Sequence, residues 1–316
     1  MMDHIHAITR LIEVSREYKR PLCVTFTDLQ KAFDSVQIEA VMEDFGSQGV
    51  HTQYVKTLRE LYNNFTTRTS PLYHDINVDI KRGVRQGDTV SPKLFTITLQ
   101  NVMGTLEWDN MGVKIDGRRI HHLRFAEDIV VITPDVSQAE RMLADFDKAC
   151  RKNGLRLNLK KTMFMMNGLV SFAPFTLNGT NISEFSSYVY LGREINMMND
   201  LAPEQSKTKR AAWGVFKSIE VVVKRTKNTR LRAHLFISTV LPVVTHASET
   251  WSLCKQDERS LSVIERALER TMLGVYRFTQ VRDGIRSSDL RQRSKIRDAV
   301  LYAEQSEVGR TRNAWE

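Results

Sequence analysis

The sequence of 316 residues predicts an α+β fold that is arranged in two domains. As far as about residue 195, short runs rich in β-branched and aromatic residues alternate with stretches of helical periodicity, which is typical of an α+β domain. After Pro203 the pattern becomes helical throughout and rich in Lys and Arg. We therefore place a domain boundary near residues 195–203, with one domain over residues 1–200 and a helical one over residues 201–316.

The charge balance favours an anionic partner. Lys and Arg number 46 against 37 Asp and Glu, which gives a formal net charge of +9. Nucleic acid and an acidic membrane surface both attract such an excess, and a solvated basic face without a partner has the same composition. The sequence has no apolar run of membrane-spanning length and no signal peptide at its start, so we expect an intracellular protein without a membrane partner. Three widely spaced cysteines without a CxxC pattern agree with a reducing compartment.

The elements of the first domain begin with an amphipathic helix over Ile5–Tyr18. The β-rich run Leu22–Thr27 then predicts a strand that delivers Asp28 at its carboxyl end. A helix is expected from Asp34, a good N-cap residue, to about Gly46. The elements expected next are a helix over His51–Asn63, a strand pair near 75–81, a helix from Ser91 to Trp108, short strands on both sides of Gly117, a strand pair around 126–128, and a helix over Ser137–Asn153.

A carboxylate at the end of the first strand is a candidate metal ligand. Asp28 lies in the segment Phe26–Asp34, directly after the strand, and such a position holds a divalent cation on a rigid base. The alternative is an ordinary strand followed by a helix N-cap, and for Asp34 alone that alternative is preferred.

A loop that contains two glycines forms the second candidate segment, Lys81–Asp88, and Ser91 and Pro92 follow it. Two glycines four residues apart allow the backbone to pass close to a ligand or to another strand. Arg85 and Gln86 stand between those glycines, where they could contact a phosphate or a base edge. The alternative is a polar turn before a helix, with Pro92 in the first helical turn.

Adjacent carboxylates between two apolar runs mark the third segment, Leu123–Ile132. Glu127 and Asp128 bring like charges together, which requires either exposure or a compensating cation. A hairpin turn alone would account for one Asp. Together with Asp28, the pair would supply three carboxylates from two strand ends, which is a donor set for a divalent-metal site in phosphoryl chemistry.

These segments, in this order and spacing, resemble the palm motifs of reverse transcriptases from non-LTR, LINE-type retrotransposons, and specifically those of the RTE-like clade. The matching segments are Asp28–Asp34 with D-x-x-x-A-F-D, Arg82–Pro92 with R-G-V-R-Q-G-D-x-x-S-P, Phe125–Asp128 in the place of F-A-D-D, Leu155–Asn158 with Lys161 and Thr162 for the fourth motif, and Tyr190–Gly192 for the fifth. The likeness continues through the basic helical segment to roughly residue 300.

The resemblance implies a right-hand polymerase palm, an antiparallel sheet with packed helices and partial fingers, followed by a helical, basic thumb and C-terminal region. It implies an RNA-directed DNA polymerase that transfers nucleotides from dNTPs onto a primer 3′-hydroxyl. RNA template and DNA primer would be its partners, and two Mg²⁺ ions, or Mn²⁺ in their place, its cofactors. The nucleus or the cytoplasm is the location expected from the family.

The resemblance also assigns roles to single residues. Asp28, Glu127 and Asp128 are the expected catalytic carboxylates and metal ligands, and the backbone carbonyl of Leu29 would help to bind metal. Phe33 stands at the position of the aromatic steric gate that excludes a nucleotide 2′-hydroxyl, with a core aromatic as the alternative. The remaining expected site residues are Arg85, Gln86 and Gly87, which would contact the nucleotide and the template, and Lys161, a candidate proton donor to pyrophosphate.

The basic stretch after Pro203 is expected to follow the phosphate backbone of an RNA–DNA hybrid. Trp213, Phe216, Ile219 and Val223 recur at helical spacing within it, which indicates a core-facing stripe. The residues expected to contact the nucleic-acid backbone are Lys207, Lys209, Arg210, Lys224, Arg225 and Lys227.

Two departures from the family pattern concern activity. Glu127 replaces the first Asp of F-A-D-D, and its extra methylene moves the carboxylate by about 1 Å, a displacement that can lower a rate about 10²-fold. The sequence also begins just upstream of Asp28 and stops within the C-terminal region, so most of the fingers and an endonuclease are expected to be missing. An inactive remnant that at most binds nucleic acid is therefore the alternative, and an intron-maturase relative fits the R-G-V-R-Q-G-D segment less well.

Overall fold

The computed structural model of the chain describes residues 2–47, 49–63, 66–70, 74–80, 82–85, 87–115, 117–246, 248, 251, 253–303 and 305. The chain divides into two compact units, one of residues 11–186 (the sheet unit) and one of residues 1–10 and 187–316 (the helical unit). This division lies upstream of the boundary expected near residues 195–203, and it adds the first ten residues to the C-terminal part. The assignment of a palm and a thumb to two domains stays a prediction.

The two units differ in their secondary structure. The elements up to residue 186 are α1 (Met2–Glu17), β1 (Cys23–Thr27), α2 (Ala32–Ser35), α3 (Ile38–Ser47), α4 (Thr52–Tyr62), β2 (Thr66–Thr69), β3 (Ile76–Asp79), α5 (Ser91–Gly104), β4 (Val113–Ile115), β5 (Arg118–Ile120), β6 (His122–Phe125), β7 (Asp128–Thr133), α6 (Val136–Lys152), β8 (Met163–Met166), β9 (Thr176–Leu177), β10 (Thr180–Asn181) and β11 (Ser183–Glu184). The elements after it are β12 (Ser187–Tyr190), β13 (Arg193–Asn196), α7 (Ala202–Arg225), α8 (Thr229–Leu235), a π-helical segment (Phe236–Val240), α9 (Leu241–Val244), α10 (Lys255–Leu273), α11 (Arg277–Arg282) and α12 (Ser287–Ser294).

A five-stranded sheet in the order β11-β8-β1-β7-β6 is the centre of the sheet unit. β1 lies in the middle and pairs antiparallel with β7, from Cys23 opposite Thr133 to Thr27 opposite Ile129. On its other side, β1 pairs antiparallel with β8. All five residues of β1 are buried, and its β-branched and aromatic side chains suit a strand that is covered on both faces.

The helices α5 and α6 belong to the apolar core that covers this sheet. α6 begins after Asp135, whose carboxylate accepts a hydrogen bond of 2.7 Å from the Gln138 backbone N–H, as an N-cap does. The apolar side chains that α6 buries recur at helical spacing and are Val136, Ala139, Met142, Leu143, Phe146, Ala149 and Cys150. The strand ends that carry Asp28 and Asp128 therefore stand on a well-packed base.

The helical unit has an apolar core of its own, to which α7, α9 and α10 contribute. Phe216 and Val223 of α7 are buried there, and Trp213 and Ile219 pack against it. The core-facing stripe predicted for this helix is thus confirmed. Within the described part of the chain, no helix combines the length and the apolar character that a bilayer crossing requires.

Three expected elements are wrong in detail. The single helix expected from Asp34 is divided into α2 and α3, because Val36 leaves the helical conformation with φ −57° and ψ 130°. The helix expected to reach Trp108 ends at Gly104, and the chain beyond it buries the Trp108 ring in the core. The strand pair expected near 75–81 is β3 alone, which pairs with the preceding strand β2.

Candidate active site

Two aspartates from neighbouring strands lie opposite each other at one end of the sheet. Asp28 directly follows β1, and Asp128 is the first residue of β7. The register of the two strands ends with Thr27 opposite Ile129, so the next position along both strands brings Asp28 opposite Asp128. Side chains at such cross-strand positions have Cβ atoms about 5 Å apart. The fold therefore joins two carboxylates that are far apart in the sequence.

The pKa of the Asp128 carboxyl is raised. Burial is the largest cause, and the negative charges of Glu127 and then of Asp28 add to it. Both carboxylates are thus within electrostatic reach of Asp128. Like charges that gather at a half-buried position favour either a bound proton or a compensating cation there.

Glu127 is the second residue of the two-residue turn between β6 and β7. Phe125 pairs with Asp128, which leaves Ala126 and Glu127 in the turn. Ala126 has a positive φ of 51°, and Glu127 does not belong to the residues with positive φ. A positive φ favours glycine, and an alanine there costs about 1 kcal/mol. The hairpin therefore holds a strained residue directly before Glu127.

The loop after α6 contacts Asp28 through Asn158. The side-chain amide of Asn158 donates a hydrogen bond of 3.1 Å to Asp28 Oδ2, and its backbone N–H donates one of 2.8 Å to the Asp28 carbonyl. Lys161 Nζ lies 3.5 Å from the same carboxylate oxygen. Because the Lys161 side chain is 67% exposed, solvent screens this ion pair. The lysine expected as a proton donor thus stands beside Asp28.

Asn158 is a site residue to which the sequence reasoning gave no role. Asn158 and Asp28 are 130 residues apart, so nothing local in the sequence predicts the contact. The available signals are its place in the fourth motif segment, Leu155–Asn158, and its position between two core residues, Leu157 and Leu159. A β-bridge between Leu157 and the buried Leu29 fixes the register of the two segments.

A cavity of about 560 Å³ opens beside Asp28. Cations outnumber carboxylates in its walls, which suits a ligand that carries phosphate groups. The charged residues that line it are Asp28, Asp34, Lys31, Arg82, Arg156 and Lys161.

A second cavity, of about 420 Å³, adjoins the first, since Lys31 and Asp34 line both. Phe33 and Arg85 contribute to its walls. The ring of Phe33 also stacks on Phe95, with ring centroids 4.9 Å apart. Phe33 is therefore a wall of the cavity whose orientation the core fixes, and its role as a steric gate stays a prediction.

The first glycine of the second segment packs onto the chain that carries Phe33. The Gly83 N–H donates to the Val36 carbonyl and the Val84 N–H to the Phe33 carbonyl, each at 2.8 Å. Gly83 has a φ of +94°, and a Cβ there would lie 2.9 Å from the backbone of Asp34. Only glycine fits this position, which joins two of the three motif segments.

The rest of this loop borders the second cavity. The Arg85 guanidinium donates a hydrogen bond of 3.2 Å to the Leu61 carbonyl and lies 5.9 Å from the centre of the Tyr62 ring. Gly87 has a φ of +87°, and a Cβ there would meet no atom within 4 Å, so the backbone is open to a ligand. Gln86, which was expected to contact the nucleotide or the template, lies outside the described residues.

Within the described residues, no group of three or more His, Cys, Asp or Glu side chains is arranged to hold a metal ion. The donors that the sheet does bring together are the carboxylates of Asp28 and Asp128. Carboxylate oxygens are hard ligands, and Mg²⁺ commonly binds through one or two of them together with substrate phosphates. The raised pKa of Asp128 is a second observation in favour, because a divalent cation would offset the crowded negative charge.

The six basic residues expected to follow a nucleic-acid backbone are all exposed. Two of them have acidic partners, since Lys207 Nζ lies 2.7 Å from Glu194 and Lys224 Nζ lies 2.7 Å from Glu220. These hydrogen bonds raise the pKa of both lysines and neutralise part of the charge that they offer. The four for which the described residues contain no ion pair are Lys209, Arg210, Arg225 and Lys227.

Comparison with known proteins agrees on one family. The profile described as reverse transcriptase (RNA-dependent DNA polymerase) matches residues 2–209 of the chain. A Caenorhabditis elegans protein, described as transposon-derived and uncharacterized, is 30% identical over 201 residues. That match covers 62% of this chain and 72% of the Caenorhabditis protein.

Two longer proteins of mobile elements are also similar. A Pol polyprotein from the type-1 retrotransposable element R2 of Nasonia vitripennis is 24% identical over 262 residues, which cover 73% of this chain and 26% of that protein. A protein of Drosophila melanogaster, described as a probable RNA-directed DNA polymerase from the transposon BS, is 22% identical over 290 residues, which cover 86% of this chain and 31% of that protein. The chain therefore matches about a quarter to a third of the length of these two proteins.

Proposed function

This chain belongs to the reverse transcriptases (RNA-dependent DNA polymerases) of non-LTR retrotransposons, and on that premise we propose that it extends a DNA primer along an RNA template with dNTPs. Enzymes of this family generally use divalent metal ions. We further propose that the chain belongs to the RTE-like clade. The sequence R-G-V-R-Q-G-D of residues Arg82–Asp88 supports this assignment. Residues 1–200 would form the palm with partial fingers, and residues 201–316 the thumb and C-terminal region of a nuclear or cytoplasmic protein.

One observation carries this proposal. The register between β1 and β7 brings Asp28 opposite Asp128, at the edge of a cavity of about 560 Å³ that is rich in cations. Paired carboxylates on rigid strands, next to a cavity suited to phosphates, are what two-metal nucleotidyl transfer requires. Two carboxylates at opposite ends of the sheet would not support that chemistry.

Asp28 and Asp128 would hold the divalent ions, Mg²⁺ or Mn²⁺, with help from the Leu29 carbonyl and, through its longer side chain, Glu127. Such ions activate the primer 3′-hydroxyl and stabilise the charge of the leaving pyrophosphate. Asn158 keeps the Asp28 carboxylate in one orientation through its amide hydrogen bond of 3.1 Å. Asn158 therefore acts as a positioning residue.

The cavity walls would orient the nucleotide. Lys161 stands 3.5 Å from Asp28, and it could exchange that carboxylate for a phosphate oxygen and then donate its proton to pyrophosphate. Phe33, held by Phe95, would exclude a 2′-hydroxyl from the neighbouring cavity. Arg85, Gln86 and Gly87 would contact the nucleotide and the template.

The RNA–DNA hybrid would lie along the basic residues of α7 and the turn after it. The exposed cations without an ion pair in the described residues carry most of this role, and they are Lys209, Arg210, Arg225 and Lys227. Lys207 and Lys224 would contribute less, because Glu194 and Glu220 compete with phosphate for them.

Primer extension on a primed RNA template, with dNTPs and Mg²⁺ or Mn²⁺, tests the proposal. We expect incorporation by the unchanged chain and none above background by Asp28→Asn. Asp145→Asn is the matched control, since Asp145 is an exposed acid on α6 that lines neither cavity. Absence of extension by the unchanged chain, under both metals, would contradict the proposed activity.

The second candidate function is binding of nucleic acid without polymerisation. Its support is the position of Glu127 on a strained turn and the lack of a three-member ligand group among the described residues. A salt-dependent affinity for RNA–DNA hybrid that persists while primer extension is absent would favour this candidate over the first.

A further inference from the structure

The helix α10 carries a stripe of side chains on the face opposite its buried one, all exposed except the half-buried Arg270. The buried face contributes Leu261, Ile264, Leu268 and Met272 to the core. The stripe consists of residues three or four positions apart, and its members are Gln256, Arg259, Val263, Arg266 and Arg270. From Arg259 to Arg270 the stripe runs for about 16 Å along the helix. The side chains of this stripe do not belong to the apolar core, so its arginines can contact a ligand.

Two cavities lie along the stripe and adjoin at Val263, which lines both. The first, of about 410 Å³, brings Lys209 of α7 next to Arg259. The second, of about 480 Å³, has polar side chains and several arginines in its walls. Together they form a basic surface, the arginine track, whose members are Lys209, Arg259, Arg266, Arg270 and Arg277.

In the part of the chain that the structure describes, no cation of the arginine track forms an ion pair with a carboxylate. None of the described residues that line either cavity is an Asp or a Glu. Burial and then the positive charge of Arg277 lower the pKa of Arg270, and the smaller opposing effect of the Glu269 carboxylate does not reverse this direction. Elsewhere in the same unit, Arg282 and Arg291 each contact a carboxylate at 2.8–2.9 Å. Crowded arginines that form no ion pair of their own attract an anion from outside the chain.

Two aromatic side chains stand beside the track. Tyr276 is 79% exposed and Phe278 is 75% exposed, and they flank Arg277 in the sequence. Exposed aromatic faces stack on unpaired bases, and arginines between them hold the phosphates of the same strand. In a duplex the bases stack on one another, so that these rings would have no such partner. The pattern therefore fits a single strand better than a duplex.

We propose that the arginine track binds a single-stranded polynucleotide, with its phosphates in the two cavities and its bases on Tyr276 and Phe278. This surface shares Lys209 with the basic residues of α7 that would follow the hybrid, and its arginines are additional to them. A polymerase binds its template as a single strand before the template is copied. Identifying the bound strand as uncopied template rests on the proposed function, whereas the binding of a single strand does not. The binding itself requires neither dNTPs nor metal.

Fluorescence anisotropy with labelled single-stranded RNA, single-stranded DNA and RNA–DNA duplex of one sequence, without metal or dNTPs, tests the proposal on the full chain. We expect both single strands to bind more tightly than the duplex. Arg270→Gln combined with Arg277→Gln should reduce the salt dependence of log affinity by about 1.4, since each phosphate contact of a single strand contributes about 0.7. Tyr276→Ala should weaken binding about tenfold, whereas Tyr276→Phe should retain it.

Arg293→Gln and Arg297→Gln are the matched controls, because both arginines are exposed in the same unit and line neither cavity. Equal affinity for duplex, unaffected by Tyr276→Ala, would overturn the proposal, and so would equal losses in the control variants. Binding to phosphatidylserine vesicles but not to oligonucleotides would overturn it in favour of a membrane surface. Asp28→Asn should bind like the unchanged chain, so a failure of polymerisation is distinguishable from a failure of this site.

Discussion

Each unit gathers three carboxylates, and the two gatherings differ in the cation that faces them. The open cluster of the sheet unit consists of Asp28, Glu127 and Asp128. The closed cluster of the helical unit consists of Glu265, Glu269 and Asp298 around Arg291. In the open cluster an exposed lysine lies 3.5 Å from one carboxylate, whereas in the closed cluster a single guanidinium reaches all three at 2.9, 3.3 and 2.9 Å.

The difference indicates what each cluster is for. Glu265 and Glu269 are 1% exposed, and the planar fork of Arg291 binds them in fixed geometry, so the chain supplies its own cation. In the open cluster Asp28 borders a cavity, and the negative charges of Asp28 and Glu127 act on Asp128. A cluster that is complete in itself stabilises the fold, whereas we propose that the incomplete one receives a cation from outside. Substitutions in the two clusters should therefore have opposite effects.

Asp128→Asn should have the largest effect, and it should separate activity from stability. We expect primer extension to fall about 10³-fold or more, because a metal ligand is lost. The pKa of Asp128 is raised in the folded chain, so its charge opposes folding and the neutral Asn should leave the stability equal or higher. Single-turnover extension and urea unfolding of the same preparation measure both. If Asp128→Asn lost stability as well as activity, Asp128 would stabilise the fold as the closed cluster does, which would contradict the difference between the two clusters.

Arg291→Met should lower the stability of the chain, in contrast to Asp128→Asn. Removal of the cation leaves buried carboxylates without compensation, which costs about 3–5 kcal/mol of unfolding free energy. Urea unfolding followed by circular dichroism measures the loss. Arg293→Met is the control, since Arg293 is exposed and makes no ion pair among the described residues. Equal losses in the two variants would contradict a structural role for the closed cluster.

The closed cluster should also make the helical unit sensitive to pH. Burial and then Asp298 raise the pKa of Glu265 to about 7 from 4.5, against the opposing effect of Arg291. The folded chain then binds more protons than the unfolded chain between these values, so stability should fall as pH rises from about 4.5 to about 7, by up to about 3 kcal/mol. Glu265→Gln should flatten this dependence. A free energy of unfolding that rises from about pH 4.5 to about pH 7 would contradict the raised pKa of Glu265.

Among the substitutions in the two clusters, Glu127→Asp should have the smallest effect, and it should increase primer extension. Shortening the side chain by one methylene moves the carboxylate back by about 1 Å and should raise primer extension by at most about 10²-fold. Glu127→Gln is the control, because it keeps the length and removes the charge. If the Asp variant extends no better than the unchanged chain, the turn already accommodates the longer side chain.

The open cluster was predictable because its parts are local. A β-rich run that ends on Asp28, and a second that starts at Asp128, predict two strand ends, and the family motifs associate them. The stripe of Phe216 and Val223 was predictable for the same reason, since helical spacing is visible within two turns of one helix. Local periodicity thus anticipates elements and the faces that they bury.

Partners far apart in the sequence were not predictable. Asn158 reaches Asp28 across 130 residues, and Lys207 finds Glu194 on a neighbouring hairpin. The ion pair of Lys224 with Glu220 was predictable, because the two residues are four positions apart on one helix. The break at Val36 was hidden because Asp34 and Ser35 read as the start of a helix, so an N-cap preference there gave the wrong boundary.

The strand order of the sheet has a consequence for how the chain is made. β1 pairs with residues 129–133 on one side and with residues 163–166 on the other, so both of its edges stay unpaired while the ribosome adds more than a hundred residues. Pairings over such separations form slowly, and an apolar strand with free edges is prone to associate with other chains meanwhile. The two aspartates therefore come together only late in synthesis, and a chaperone that shields β1 would be expected to raise the yield of folded protein.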